Sequence, residues 1–395
     1  MKWFVLDSET SILNRGEGAV GEQSGHPASA ANQIVSYGEQ WAQNRQMQYK
    51  DAYSPTGVKE MPEFLKLASS GTEVLVVMHN APFDWSYFIK TWREEMMAAL
   101  PFIFIWDTMQ VEFLLQGQDK VMPSLDWCAT LYDLPLKDDK IKEYWKNGVD
   151  TAFIPKDELL EYQKQDVTNT TKIFLEQWNA VSQSPKLLEL VRVKMDDKLL
   201  TTFMQIYGMH FNLAKAAELL EEVDKEIGEV YNTIMAGASA HFVEDFTFNP
   251  ASPDQVSVLM FGGDYKVERV LPVLDEAGNQ VVYKSGARKG EGKTKKTVVV
   301  EHTRGLEMDP YGIPEAKGGY STSDEHLSKL KTPLAELILK YRGLKKDAET
   351  YYRGYAALVW PDGCIRPNVN HEVAGTGRQS SSAPNLQNVS KEDEE

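Results

Sequence analysis

Three short apolar runs, Trp3 to Leu6, Val74 to Met78 and Phe102 to Trp106, are dense in strand formers, and each gives way to polar groups: Asp7, His79 with Asn80, and Asp107. Short apolar runs bounded in this way predict sheet strands. Between and after them, apolar positions recur at helical spacing over Glu60 to Ala68, Trp85 to Met97, Ser124 to Tyr132 and Lys156 to Val181. Strands alternating with helices predict an α/β layered domain over residues 1–185. Beyond Pro185 the period stays helical for two long stretches, Lys186 to Gly208 and Leu213 to Met235, broken at Gly208-Met209-His210-Phe211-Asn212. A mainly helical region is expected over 186–355.

That region is itself interrupted. Residues 264–320 carry Gly, Pro and charge, and Asp275-Glu276-Ala277-Gly278-Asn279 reads as a turn between two strand-like runs. Residues 284–304 hold seven basic side chains (Lys284, Arg288, Lys289, Lys293, Lys295, Lys296, Arg304) against Glu291 and Glu301. The expectation is a β-rich insertion with a basic tip; the plain alternative is a solvated charged loop. Helical signals resume at Asp324, behind the capping hydroxyls of Ser321, Thr322 and Ser323. Thr332 as N-cap with Pro333 at the first helical position predicts a second, longer helix. After Tyr355 the pattern turns irregular and strand-like.

A chain of 395 residues has room for two or three domains. Its 42% hydrophobic and 10% aromatic content excludes a disordered chain. The 42 Lys and Arg against 58 Asp and Glu, a net charge of -16, exclude a simple basic binder of nucleic acid. They leave nucleic acid open as a substrate, because the distribution of charge matters more than its sum. Cys128 and Cys364 form neither a disulfide framework nor a CxxC metal pattern, so a reduced, cytoplasmic setting is expected. No run approaches the ~18 apolar residues of a membrane helix, and the N-terminal apolar stretch is too short for a secretory signal.

The candidate chemistry lies in carboxylates. Asp7-Ser8-Glu9 ends the first strand, where period-two alternation puts both acids on one side. Such a pair can grip Mg²⁺ or Mn²⁺ through oxygen, or be a solvated strand end. Asn80-Ala81-Pro82-Phe83-Asp84 follows the second strand and sets Asp84 at a strand-to-helix junction, where it serves equally as a helix cap. Tyr162 and Asp166 stand at i and i+4, on one helix face; alone, Asp166 reads as a surface acid beside Lys164. Asp107, with Gln110 three residues on, reads as a cap rather than a further metal ligand. His79 and Asn80 shape the site rather than ligate.

In this order, DxE, NxxxD and YxxxD resemble the DEDD family of 3′-5′ exonucleases, in the subclass with tyrosine at the last motif; none of the seven histidines lies near Tyr162. The resemblance implies a ribonuclease H-like fold, a mixed sheet flanked by helices. It also implies that Asp7, Glu9, Asp84 and Asp166 hold two divalent metal ions, Mg²⁺ or Mn²⁺, that Tyr162 helps orient the attacking water, and that Asn80 meets DNA. Two metals about 3.5–4 Å apart can supply both the nucleophile and leaving-group stabilisation that phosphodiester hydrolysis needs.

A second resemblance rests on later segments: Phe248-Asn249-Pro250-Ala251-Ser252-Pro253-Asp254-Gln255, Ile338-Leu339-Lys340-Tyr341-Arg342-Gly343, and Gly375-Thr376-Gly377-Arg378-Gln379-Ser380-Ser381-Ser382-Ala383-Pro384-Asn385-Leu386-Gln387-Asn388. These resemble family A DNA polymerases of the bacterial DNA polymerase I type, with Gln379 where leucine is usual. The resemblance implies a thumb that grips duplex DNA, contacts from Lys340, Arg342, Lys345, Lys346, Gln387 and Asn388, Arg378 near the primer terminus, and the start of a palm over 356–395. Basic residues outnumber acidic ones between Ser328 and Arg366, eight to four, as sequence-independent phosphate contacts require. Residues 264–320 stand where some phage polymerases carry a loop for a processivity factor.

After Asn388-Val389 the sequence reads Ser390-Lys391-Glu392-Asp393-Glu394-Glu395, before the palm aspartates and the fingers helix of such polymerases. The expectation is therefore the exonuclease and thumb part of a phage-type split polymerase, completed by a second chain with palm and fingers, or else a truncated polymerase. The function expected is a metal-dependent proofreading 3′-5′ DNA exonuclease without polymerase activity of its own. The alternatives are a non-catalytic DNA-gripping assembly subunit and a 3′-5′ exoribonuclease.

Overall fold

The structure is a computed structural model that describes residues 1–12, 25–136, 140–286 and 288–389. The acidic tail Ser390 to Glu395 lies outside the described residues. The chain divides into two compact units, the first Met1–Asn212 with Tyr355–Glu395 and the second Leu213–Gly354.

The first unit is built on a five-stranded sheet of β1 (Lys2–Ser11), β2 (Gln33–Gln43), β3 (Gln46–Tyr53), β4 (Val74–Met78) and β5 (Ile103–Asp107), ordered β3-β2-β1-β4-β5. β1, β2 and β3 run antiparallel, while β4 lies parallel to β1 and β5 parallel to β4. The β2–β3 hairpin reverses at Asn44 and Arg45, whose φ angles of 52° and 65° are the two positive values a tight hairpin turn needs. The parallel pairs require crossovers: α1 (Glu63–Ser69) precedes β4, and α2 (Ala81–Thr91) and α3 (Arg93–Ala99) precede β5. The single helix expected over Trp85 to Met97 is thus two. They break at Trp92 (φ -128°, ψ 54°), whose ring stacks on Phe88 at 5.4 Å.

After β5 come α4 (Thr108–Leu115), α5 (Leu125–Leu131), α6 (Lys140–Lys146), α7 (Lys156–Ser182) and α8 (Pro185–Tyr207). Strand alternation sorts the core into two layers. Phe4, Leu6, Val74, Val76 and Met78 meet Phe64, Leu65, Trp85, Phe88 and Met96 of α1 to α3. Trp3, Val5, Leu75 and Val77 meet Val167 and Phe174 of α7 and Val191 and Met195 of α8. α8 therefore belongs with the sheet and not with the helical region expected from residue 186. A two-residue strand, β6 (Met209–His210), follows it.

The second unit contains α9 (Leu213–Ala238), α10 (Pro253–Phe261), β7 (Gly263–Pro272), β8 (Thr294–Thr303), β9 (Glu315–Ala316), β10 (Gly319–Tyr320), α11 (Asp324–Leu330), α12 (Pro333–Lys346) and a π-helical stretch, Asp347–Gly354. Its core is apolar, with Ile234, Phe248, Leu259 and Ile338 at the centre. Thr332 caps α12 by accepting from Ala335 N, with Pro333 next, as the sequence predicts. Ser323 stands at the cap position of α11, but its hydroxyl is 2.9 Å from His326 Nδ1 and makes no capping bond. β7 and β8 pair antiparallel along their whole length. Beyond them the predicted turn forms, with Asp275 Oδ1 accepting from Ala277 N and Asn279 N.

The chain then returns to the first unit as β11 (Cys364–Ile365), β12 (Asn368–Asn370) and β13 (Ser380–Ser382). β11 pairs with β6 and β12 with β13. Arg366 Nε donates to Ile206 O at 3.0 Å and Val369 N to Gln205 Oε1 at 2.6 Å, which seats this segment on α8. The compact units thus part after Asn212 and Gly354 rather than after 185 and 355. Among the described residues, no helix is long and apolar enough to cross a membrane.

Candidate metal centre

Asp7 and Glu9 continue the row Trp3, Val5 on the β1 face that α7 covers, opposite Gly38 and Ser36 of β2. The ladder slips between Glu9 and Thr10 and resumes in a shifted register at Thr10 with Ile34, so a bulge lies just past the second acid. Across this face α7 buries Tyr162, Gln163, Asp166 and Val167. Carboxylate oxygens of Asp7, Glu9 and Asp166 all lie within 4.8 Å of one another.

Gly38 is what lets α7 come so close. A Cβ there would sit 2.8 Å from Tyr49 Oη, 3.1 Å from Val167 Cγ2 and 3.3 Å from Gln163 Cγ. Gln163 Nε2 in turn donates to Asp7 O at 3.3 Å, tying α7 to β1. Three ionised carboxylates at such separations repel one another. Hard divalent cations take such an oxygen set, so the residues present fit Mg²⁺ or Mn²⁺.

Asp84 is not one of the three within 4.8 Å; it comes from α2, which packs on the other face of the sheet. The Asp84 side chain reaches β1 through Ser8, the residue that points away from α7: Oδ1 accepts from Ser8 N at 2.9 Å and Ser8 Oγ at 2.5 Å. Burial, with the charge of Asp107 adding to it, holds the Asp84 carboxyl well above the usual carboxylate range against the two Ser8 hydrogen bonds. Nor does Asp84 cap α2. That position belongs to Asn80, exposed and left-handed at φ 62°, ψ 54°. Tyr162 is buried, packed with Val35, Ile154 and Leu159 and edge-on to Trp145 at 5.9 Å.

Asp107 is the cap the sequence predicts, accepting from Met109 N at 2.9 Å and Gln110 N at 3.4 Å. It also accepts from Asn80 N at 3.0 Å, Ala81 N at 2.8 Å and Lys198 Nζ at 2.5 Å. Burial works to raise the Asp107 carboxyl, but the charge and hydrogen bond of Lys198 overcome it and hold the group below its ordinary value. Lys198 also pairs with Glu372. His79 Nδ1 lies 2.9 Å from Thr108 Oγ1. Lys198 and Glu372 are not marked by any motif; the available signal is that Lys198 follows Val191 and Met195 on the buried face of α8.

The basic candidates fare differently. Lys340 pairs with Glu226 at 2.5 Å and Lys345 with Glu349 at 3.3 Å. Lys346 is exposed, 6.0 Å from the Tyr351 ring centroid. Arg342, also expected to meet DNA, makes contacts within the second unit. It is half-buried and donates from Nε to Pro250 O and from Nη1 to Thr322 O, a tie inside the second unit. Arg378, Gln387 and Asn388 are exposed.

Residues 296–395 match the family model for DNA polymerase family A. The chain is 29% identical over 222 residues to the thermostable DNA polymerase I of Thermus aquaticus, covering 55% of this chain and 21% of that protein. To the DNA polymerase I of Streptococcus pneumoniae serotype 4 it is 25% identical over 312 residues, 72% of this chain and 29% of the relative. Over these matched residues the chain is similar to family A DNA polymerases. It spans only part of the curated relatives it matches, 10% of the thermostable enzyme of Thermus filiformis, to which it is 41% identical over 87 residues. The solved POL domain of Pol1 from M. smegmatis, in complex with DNA primer-template and dNTP, has a similar fold, with a TM-score of 0.60 at 17% identity, covering 99% of this chain and 53% of that one.

Proposed function

We propose that the first unit is a metal-dependent 3′-5′ exonuclease of ribonuclease H-like fold that shortens DNA ends as the proofreading part of a family A polymerase. The observation that carries this is the convergence of Asp7, Glu9 and Asp166, from a strand and a helix far apart in sequence, to within 4.8 Å. The relation to family A polymerases supports DNA as the polymer. In this reading Asp7, Glu9 and Asp166 hold divalent cations through their oxygens, and Asp84 contributes through the carboxylate oxygen that Ser8 does not engage. Bound cations supply charge stabilisation to the phosphoryl oxygens. Tyr162, on the same helix face as Asp166, orients the attacking water. Asn80, Lys340, Lys345, Lys346, Arg378, Gln387 and Asn388 meet DNA. A palm-and-fingers polypeptide and a processivity factor at 264–320 are the partners of the same reading.

The test is a 5′-labelled single-stranded DNA incubated with the purified chain and Mg²⁺ or Mn²⁺. A metal-dependent ladder is expected, and the Asp7→Ala, Glu9→Ala double variant removes it. A ladder that persists in the double variant defeats the assignment. An RNA of the same sequence, run in parallel, separates the exoribonuclease alternative.

A further inference from the structure

A line of buried charge joins the polymerase-like carboxy-terminal segment to the helix that carries Asp84. We propose that Glu372, Lys198 and Asp107 act as positioning residues that set α2, and through it Asp84, against β1. The proposal rests on the exonuclease reading for its consequence but not for its geometry.

The links are all contacts within the first unit. Lys198 Nζ lies 2.5 Å from Asp107 Oδ2 and pairs with Glu372 Oε1; the side chains are 3%, 0% and 5% exposed. Glu372 is held in turn by its carbonyl, which accepts from Met122 N at 2.9 Å. On the other side, Asp107 takes the Asn80 and Ala81 amides at 3.0 and 2.8 Å, the two donors that open α2. Asp84 stands in the first turn of α2 and closes the line on Ser8.

Each link constrains direction as well as distance. Asn80 is left-handed at φ 62°, and the Asp107 carboxylate accepts its amide at 3.0 Å. Two buried carboxylates share one ammonium, so the ammonium cannot leave without taking from Asp107 its one charge partner. An Asp107 freed from Lys198 keeps its four amide donors, Met109, Gln110, Asn80 and Ala81, but loses the one cation that offsets its burial, and its hold on the start of α2 weakens. In the proposed site, groups that orient the metal ligands are commonly worth about 10- to 100-fold in metal affinity or activity when removed.

The experiment compares Lys198→Met and Glu372→Gln with the parent chain by amide hydrogen exchange, resolved by residue, alongside Mg²⁺ titration of single-stranded DNA cleavage. Faster exchange is expected at Ser8, Asn80 and Ala81 in both variants, beyond the change at the distant β2–β3 hairpin. Cleavage falls about 10- to 100-fold with the KM for DNA within about twofold, and Glu372→Asp recovers part of the loss. A lower melting temperature with unchanged exchange at those three amides overturns the proposal. If Lys198→Met does not fold, Glu372→Gln decides alone. If the parent chain cleaves no DNA, the exonuclease reading falls, while the exchange measurement still decides whether the line positions Asp84.

Discussion

The two units bury different things. The first buries Glu9, Glu39, Asp84, Asp107, Glu112, Asp166, Lys198 and Glu372, whereas the polar side chains buried in the second, among its described residues, are Ser257, Thr303 and Thr322. Among its described residues the second fully buries no charged side chain, and pairs such as Lys340 with Glu226 and Lys345 with Glu349 lie toward solvent. Buried ionisable groups oppose folding unless they are paired or hydrogen-bonded. In the first unit Glu39, Asp84, Asp107 and Lys198 are held by amides, a hydroxyl or an opposite charge, a demand that the apolar core of the second does not make.

The largest effect that can break this contrast is on a buried cation. Lys198→Met strands Asp107 and Glu372 and is expected to cost about 3–5 kcal/mol in denaturant unfolding. Lys340→Met removes a pair whose side chains are 52% and 42% exposed, and is expected to cost within about 1 kcal/mol. Equal losses would erase the distinction. Next comes the close approach of α7. Gly38→Val drives methyl groups into Tyr49, Val167 and Gln163 and is expected to cost about 1–3 kcal/mol. It also separates Asp166 from Asp7, so the variant loses cleavage beyond what its stability loss explains.

The smallest effect is in pH. Glu39 is fully buried and accepts from the Glu63 and Phe64 amides at the start of α1. Burial pushes its carboxyl up to about 7 from an ordinary 4.5, against those two hydrogen bonds. Between these values the folded chain holds a proton that the unfolded chain releases, so the Glu39 contribution to stability declines as pH rises from 4.5 to 7. Glu39→Gln is expected to flatten that slope in melting curves recorded across the window, and an unchanged slope contradicts the assignment.

The sheet was legible where it was apolar. β1, β4 and β5 follow from Trp3 to Leu6, Val74 to Met78 and Phe102 to Trp106, because strands buried on both faces read as continuous hydrophobic runs. β2 and β3 were not, since Gln33, Gln40, Gln43, Gln46 and Gln48 dilute their apolar positions; the Asn44-Arg45 reversal was the available clue. The capping roles of Asp107 and Thr332 were legible because caps are local. The approach of Asp84 to β1 through Ser8 was not, because it depends on which sheet face α2 covers. Lys198 and Glu372 stayed hidden for the same reason: a lysine in a helical run reads as surface until the partner from residue 372 arrives.

The central claim is that Asp7, Glu9 and Asp166 form a divalent-metal site. Calorimetric titration of Mn²⁺ into the parent chain and into the Asp7→Ala, Glu9→Ala variant, with melting curves to confirm that both are folded, tests it most directly. The account predicts binding by the parent and a loss of more than about a hundredfold in affinity in the variant. Equal affinity and stoichiometry in two folded proteins would contradict it.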